Sequence, residues 1–224
     1  MKSIFKDSIP FEESIAIEED TSIVWFFTKP TDLKKITAKI NVNNGCSFTF
    51  TAIDFAYSDL DIELEVSLSE GAKAELNVAS LNHSFKKIYN FNIKHLERNT
   101  YSRTKMGGIN DGTGTLKFLG TSYIKNGAHK SDTRQEGRIT NLSPDCKSEV
   151  SPSLLIKEND VKASHGAALG AYNPDHLYYL MSRGLSLDES KKLVTYGSLL
   201  PIIEASQDDK VIEEAKEILG DLTL

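Results

Sequence analysis

Between about residue 22 and residue 163, apolar and polar positions alternate in short runs, broken by Gly, Asn, Asp and Ser at turn-like points. Alternation of this kind marks a half-buried strand, because successive side chains of an extended backbone point to opposite faces. In the clearest run Ile62, Leu64, Val66 and Leu68 alternate with Glu63, Glu65 and Ser67, and Gly71 marks the turn that follows. Ala74, Leu76 and Val78 then alternate with Glu75 and Asn77, and stretches around Ile88 to Ile93, Leu116 to Phe118 and Leu154 to Ile156 repeat the theme. This region is predicted to be β-rich. Its strands recur without an exact period. A sandwich and a parallel β-solenoid both bury one face of each strand, so the pattern leaves both architectures open.

The pattern changes at about residue 171. Asn173 is a good N-cap, Pro174 suits the first helical position and Gly184 a C-cap, so Pro174 to Arg183 is predicted to be a short helix. Ser186 and Glu189 have capping-box spacing and open a second helix, for which Gly197 is the predicted stop and Leu187, Leu193 and Val194 the predicted buried stripe. A third helical piece is expected after Pro201 through Ile202 and Ile203. Lys210 to Leu219 is amphipathic through Val211, Ile212, Ala215, Ile218 and Leu219. The predicted organisation is a β core over residues 1–170, with 1–21 as a leading segment, and a helical module over 171–224.

Composition narrows the function classes. The 224 residues are 39% hydrophobic and 26% charged, and no segment approaches the roughly 18 uninterrupted apolar residues of a membrane span. Lys2 and Lys6 near the start are followed by Asp7 and no apolar run, so a secretory signal is not expected and the expected location is cytoplasmic. Two cysteines, Cys46 and Cys146, give no disulfide framework. A net charge of −6 without a basic run argues against nucleic acid as a partner.

The glycines of MGGINDGTG (residues 106–114) lack the Lys-Ser/Thr of a phosphate loop and precede an extended run, so they are read as a turn between strands. No GxSxG elbow or HExxH helix occurs, and the five histidines are scattered. Two cysteines without CxxC spacing cannot cage a cluster that needs about four ligands. A free cysteine is more often a small buried hydrophobe than a ligand, so Cys146 is a weak metal candidate and Cys46 a weaker one.

The segment from Ser151 to Ser186 carries the most information. Its Asp160-Val161, Ser164-His165-Gly166-Ala167 and Tyr179-Leu180-Met181-Ser182-Arg183-Gly184 occur in the order and spacing of a known C-terminal signature. Upstream, GTLKFLGTSYIKNGAHKSDTRQEGRITNLSPDCKSEV matches the penultimate turns of the same group. Over about residues 113–197 the chain resembles the SufB/SufD family of iron–sulfur cluster assembly scaffolds, on the SufD-like side.

The resemblance implies a right-handed parallel β-helix core with C-terminal helices, no enzymatic turnover and no nucleotide bound by this chain. It implies two kinds of partner: a SufC-type ABC ATPase docked on the helices, and a SufB-type subunit or a second copy of this chain paired with the β-helix. Tyr178, Leu180, Arg183 and Tyr196 are the expected ATPase-binding residues. His165 matches the SufD-type histidine at the inter-scaffold site and is the candidate ligand for a transient iron–sulfur cluster shared with the partner. The SufB cysteine would fall near Gly137, and Gly166 replaces the glutamate after the SufB histidine, so the chain departs from SufB there. Deletion of residues 171–224 is expected to leave a soluble β-rich core. Two rival readings are an orphan β-helical interaction protein without cluster assembly and a β-helical carbohydrate-active enzyme.

Overall fold

The structure, a computed structural model, describes residues 1–8, 14–30 and 35–222. Odd-numbered strands β1 (Lys2–Lys6), β3 (Thr21–Phe27), β5 (Ser47–Asp54), β7 (Lys73–His83), β9 (Tyr101–Asp111), β11 (Ser131–Asn141) and β13 (Val161–Gly170) pair in that order into one sheet. Even-numbered strands β2 (Ser14–Ile17), β4 (Lys35–Val42), β6 (Leu60–Leu68), β8 (Lys86–His95), β10 (Thr115–Ile124) and β12 (Lys147–Ile156) form the other. Every pairing is parallel. Consecutive strands lie in opposite sheets, so the chain coils into a parallel β-solenoid, the β-helix that the resemblance implied. Strands reach beyond the alternating region at both ends, to Lys2 and Gly170.

The alternating residues stack by register. Ile36, Ile62, Tyr89, Phe118 and Val150 occupy one inward row of the even sheet, one residue per turn. From the odd sheet Trp25 and Phe50 meet edge to face at 4.8 Å, and Phe50 meets Phe91 of the even sheet at 5.7 Å. The turns stack as well. Gly45, Gly71, Asn99 and Lys130 all take positive φ, and their amides donate to the next turn at Glu70, Arg98, His129 and Asp160. Repeating the left-handed position lets each corner satisfy the backbone of its neighbour.

The outer face of the odd sheet is apolar where helices cover it. Phe26, Ile53, Ala79 and Gly107 are register neighbours on that face. Leu199, Ile202 and Ile203 of α2 (Leu187–Ile203), with Val211, Ala215 and Leu219 of α3 (Asp209–Gly220), close this second core. A Cβ on Gly107 would lie 2.5 Å from Ile202 Cδ1, so glycine there admits the helix. Removing residues 171–224 would bare Phe26, Ile53 and Ile109, an apolar face on the core that the deletion would leave.

The caps agree with the sequence. Asn173 accepts from the Asp175 amide to open α1 (Pro174–Ser182), and Ser186 and Glu189 form a reciprocal capping box on α2. The helix interior differs. Gly197 does not end α2, and Pro201 lies inside it, with Ile202 and Ile203 belonging to the same helix. Burial of Leu199, Ile202 and Ile203 outweighs a glycine cost of about 1 kcal/mol and a proline cost of about 3 kcal/mol. Leu187 and Leu193 are exposed and Val194 is half-buried; the buried side chains are Ser190, Thr195, Leu199, Ile202 and Ile203. Gly107 and Gly108 lie within β9, and the turn is confined to Gly112 and its neighbours.

Candidate functional site

The last turn of the solenoid is uncapped. β12 pairs only with β10 and β13 only with β11, so each leaves one strand edge unpaired among the described residues. Val161, Ala163, His165, Ala167 and Leu169 pair with Ser131, Thr133, Gln135, Gly137 and Ile139. Residues in register on parallel strands share a face, so these five continue an inward row. Among the described residues no further turn covers them. Leu169 is 54% exposed and His165 is exposed in mid-strand, while Val150, Pro152 and Leu154 of β12 are only half-buried. His165 therefore stands on an apolar end surface that invites a second protein.

Among the described residues no three His, Cys, Asp or Glu side chains come together to hold a metal ion. His165 can offer one nitrogen to a cluster completed by another chain, and no more. Gly137, beside Ala167 on the same row and near where the resemblance would put the SufB cysteine, has little room for a side chain: a Cβ there would lie 2.5 Å from Val150 Cγ1. The two candidate ligands are not brought together by any contact. Cys146 sits in the turn before β12, where its thiol is 3.1 Å from the Asn110 carbonyl oxygen, a packed corner. Cys46, in the turn before β5, packs partly against the core.

Alternation did not reveal the polar interior behind this end. His95 Nδ1 meets Thr100 Oγ1 at 2.8 Å and Nε2 meets Ser102 Oγ at 2.9 Å. From Ser102 the bonds run to Thr133 (2.7 Å), to Ser122 (2.9 Å) and to the Gln135 amide (2.6 Å), the register neighbour of His165. Burial lowers the His95 pKa from 6.5 to about 4 against the opposing charge of Asp132. A depressed histidine leaves the fold binding fewer protons than the unfolded chain, so stability is full above pH 6.5 and falls as pH drops toward 4. The expected loss from this group is about 2.5 kcal/mol by pH 4.5. Urea unfolding across that range should show an acid limb that His95→Gln flattens; equal limbs would place the pH dependence elsewhere.

The second exposed surface is helical. No residue of α1 is buried; Tyr178 is 76% and Tyr179 57% exposed, and Met181, Leu187 and Leu193 are also exposed. Leu180 is half-buried, and the exposed Arg183 guanidinium lies 5.3 Å from the Tyr179 ring centre. Tyr196 is partly buried against the helix–sheet core, a packing position. Tyr179 and Met181 share this surface with Tyr178, which helical spacing alone does not show because it does not say which face is covered. Tyr172 ties the start of the module to α2 through a 2.6 Å bond between its hydroxyl and that of Thr195.

Comparison with known proteins shows the family. The family model for the SUF system FeS cluster assembly, SufBD core domain, matches residues 31–198. The iron–sulfur cluster assembly protein SufD of Bacillus subtilis is 41% identical over 99 residues, 44% of this chain and 22% of that protein. A SufBD family cluster assembly protein of Mycobacterium leprae is 31% identical over 134 residues, 59% of this chain and 15% of its own length. SufD of Escherichia coli is 25% identical over 107 residues, 48% of this chain and 25% of the relative. The matched stretches thus span a quarter or less of these relatives. Among the described residues no helix is long and apolar enough to cross a membrane.

Proposed function

This chain belongs to the SufB/SufD core family of the SUF system for iron–sulfur cluster assembly, and on that premise we propose that it is a SufD-like scaffold subunit without turnover of its own. Its solenoid end pairs with a SufB-type subunit or a second copy of this chain, and its helical module docks a SufC-type ABC ATPase. The observation that carries this reading is His165, exposed at the centre of an uncapped apolar end with no ligand set beside it. The cluster is cargo held between subunits. The neutral imidazole is a chemically suitable iron ligand, and the partner must bring the thiolates. Gly137, closed by Val150, favours the SufD half of such a site. ATPase closure would shift the scaffold only through contacts that differ between the two nucleotide states.

His165→Ala in the anaerobically reconstituted complex is expected to lower iron and sulfide loading about tenfold or more, the scale on which metal-site residues act. Subunit association should persist, since the apolar side chains of Val161, Ala163, Ala167 and Leu169 on the same face are left in place. Cys146→Ser should change loading little. Unchanged loading in the His165 variant would refute a ligand role for this histidine.

A further inference from the structure

A cleft of about 400 Å³ lies where α2 leaves the outer face of the odd sheet. The row that runs Phe26, Ile53, Ala79 and Gly107 beneath the helices continues as Arg138 and then Ala168. The face thus changes from apolar to cationic at the helix edge. Lys105 enters the cleft from β9, Ser198 from α2 and Thr140 from β11, while Gly166 and Ala168 keep the floor low.

The arginines divide clearly. Of the five in the chain, Arg98, Arg103 and Arg134 hold Glu70, Asp132 and Glu136, and Arg183 lies over Tyr179. Arg138 alone has no ion pair, hydrogen bond or ring partner among the described residues, and it faces the cleft. Lys105 is likewise without a partner there, and Glu136, the carboxylate that lines the cleft, is engaged by Arg134. Two free cations therefore converge in a protein of net charge −6. Glu136 pairs in register with Lys105, and Arg138 stands two residues further along β11, so strand spacing separates the two α-carbons by about 8 Å.

We propose that this cleft binds a small oxyanion carrying at least two carboxylate or phosphate groups. The guanidinium supplies a planar fork for one group and the Lys105 ammonium a point charge for the other. The hydroxyls of Ser198 and Thr140 can complete the polar contacts. The volume falls in the range of small-molecule sites, roughly 300–1,000 Å³, too narrow for a folded partner. The site goes beyond cluster assembly and does not depend on it.

Titration calorimetry of the isolated full chain at low ionic strength, with pyrophosphate and separately with citrate, tests the proposal. Saturable one-to-one binding of at least one anion is expected, with an affinity stronger than about 1 mM. Preference for pyrophosphate or for citrate identifies the phosphate or the carboxylate as the recognised group, and comparable affinities indicate a general oxyanion site. Arg138→Gln should weaken binding about tenfold or more, the scale of a charge-assisted bond. Ala168→Leu should weaken it by filling the floor with the charges intact, and Arg98→Gln, on a distant turn, should leave it unchanged. No saturable binding of either anion would overturn the site. So would wild-type affinity in Arg138→Gln, or equal losses in Arg138→Gln and Arg98→Gln. None of these outcomes bears on iron and sulfide loading, which tests the scaffold reading separately.

Discussion

Lys87→Met is expected to destabilise the fold by about 3–5 kcal/mol, the cost of stranding one partner of a buried ion pair. The Lys87 ammonium lies inside the solenoid, fully buried, and donates to Asp54 Oδ1 at 2.8 Å and to the carbonyls of Ala56 and Leu81 at 2.8 and 2.9 Å. Burial pulls the lysine pKa down while Asp54 holds it up. The other Asp54 oxygen accepts from the Tyr89 hydroxyl at 2.5 Å, and burial drives that phenol well above its usual range. Methionine matches the stem but leaves the carboxylate and two carbonyls without their shared donor. Urea unfolding at pH 7 measures the loss, and Lys87→Met with Asp54→Leu should be less damaging than Lys87→Met alone. A single-variant loss below about 1 kcal/mol would mean that water or a rearranged donor replaces the ammonium.

Joint replacement of Tyr178 and Tyr179 by Asp should weaken ATPase association about a hundredfold or more, because exposed tyrosines at the centre of an interface each carry on the order of 2 kcal/mol. Folding should be unaffected. α1 has no buried side chain, so charges on its open face remain in water in the free protein. This pair is a cleaner test than removal of the module, which would uncover the outer face of the odd sheet. Surface plasmon resonance against the ATPase, with unchanged thermal unfolding as the control, is the measurement. Full affinity in the folded double variant would move the dock away from α1.

The legible parts of the molecule were those set by local rules. Alternation in Ile62 to Leu68 fixes which face of β6 is buried, and Asn173, Ser186 and Glu189 mark helix starts by side-chain chemistry that needs no tertiary contact. Solenoid and sandwich share that alternation, so the architecture came only from the signature around His165. Gly197 and Pro201 misled because local propensity is overridden where Leu199, Ile202 and Ile203 pack on the sheet. The His95 and Lys87 clusters could not be read at all. Their partners are 5 to 35 residues away along the chain, and only the coiled register brings them into one interior. The same holds for the cleft, where Arg138 and Ser198 meet because α2 stops short of β11 and β13.

Native mass spectrometry of the full chain, isolated anaerobically with its bound partners and paired with iron and sulfide assays, is the decisive experiment for the scaffold role. An assembly containing an ABC-type ATPase and a second scaffold chain is expected, with iron and sulfide retained by that assembly and almost none by the separated subunit. A monomeric chain that carries iron and sulfide unaided, or one that never associates with either partner, would contradict it.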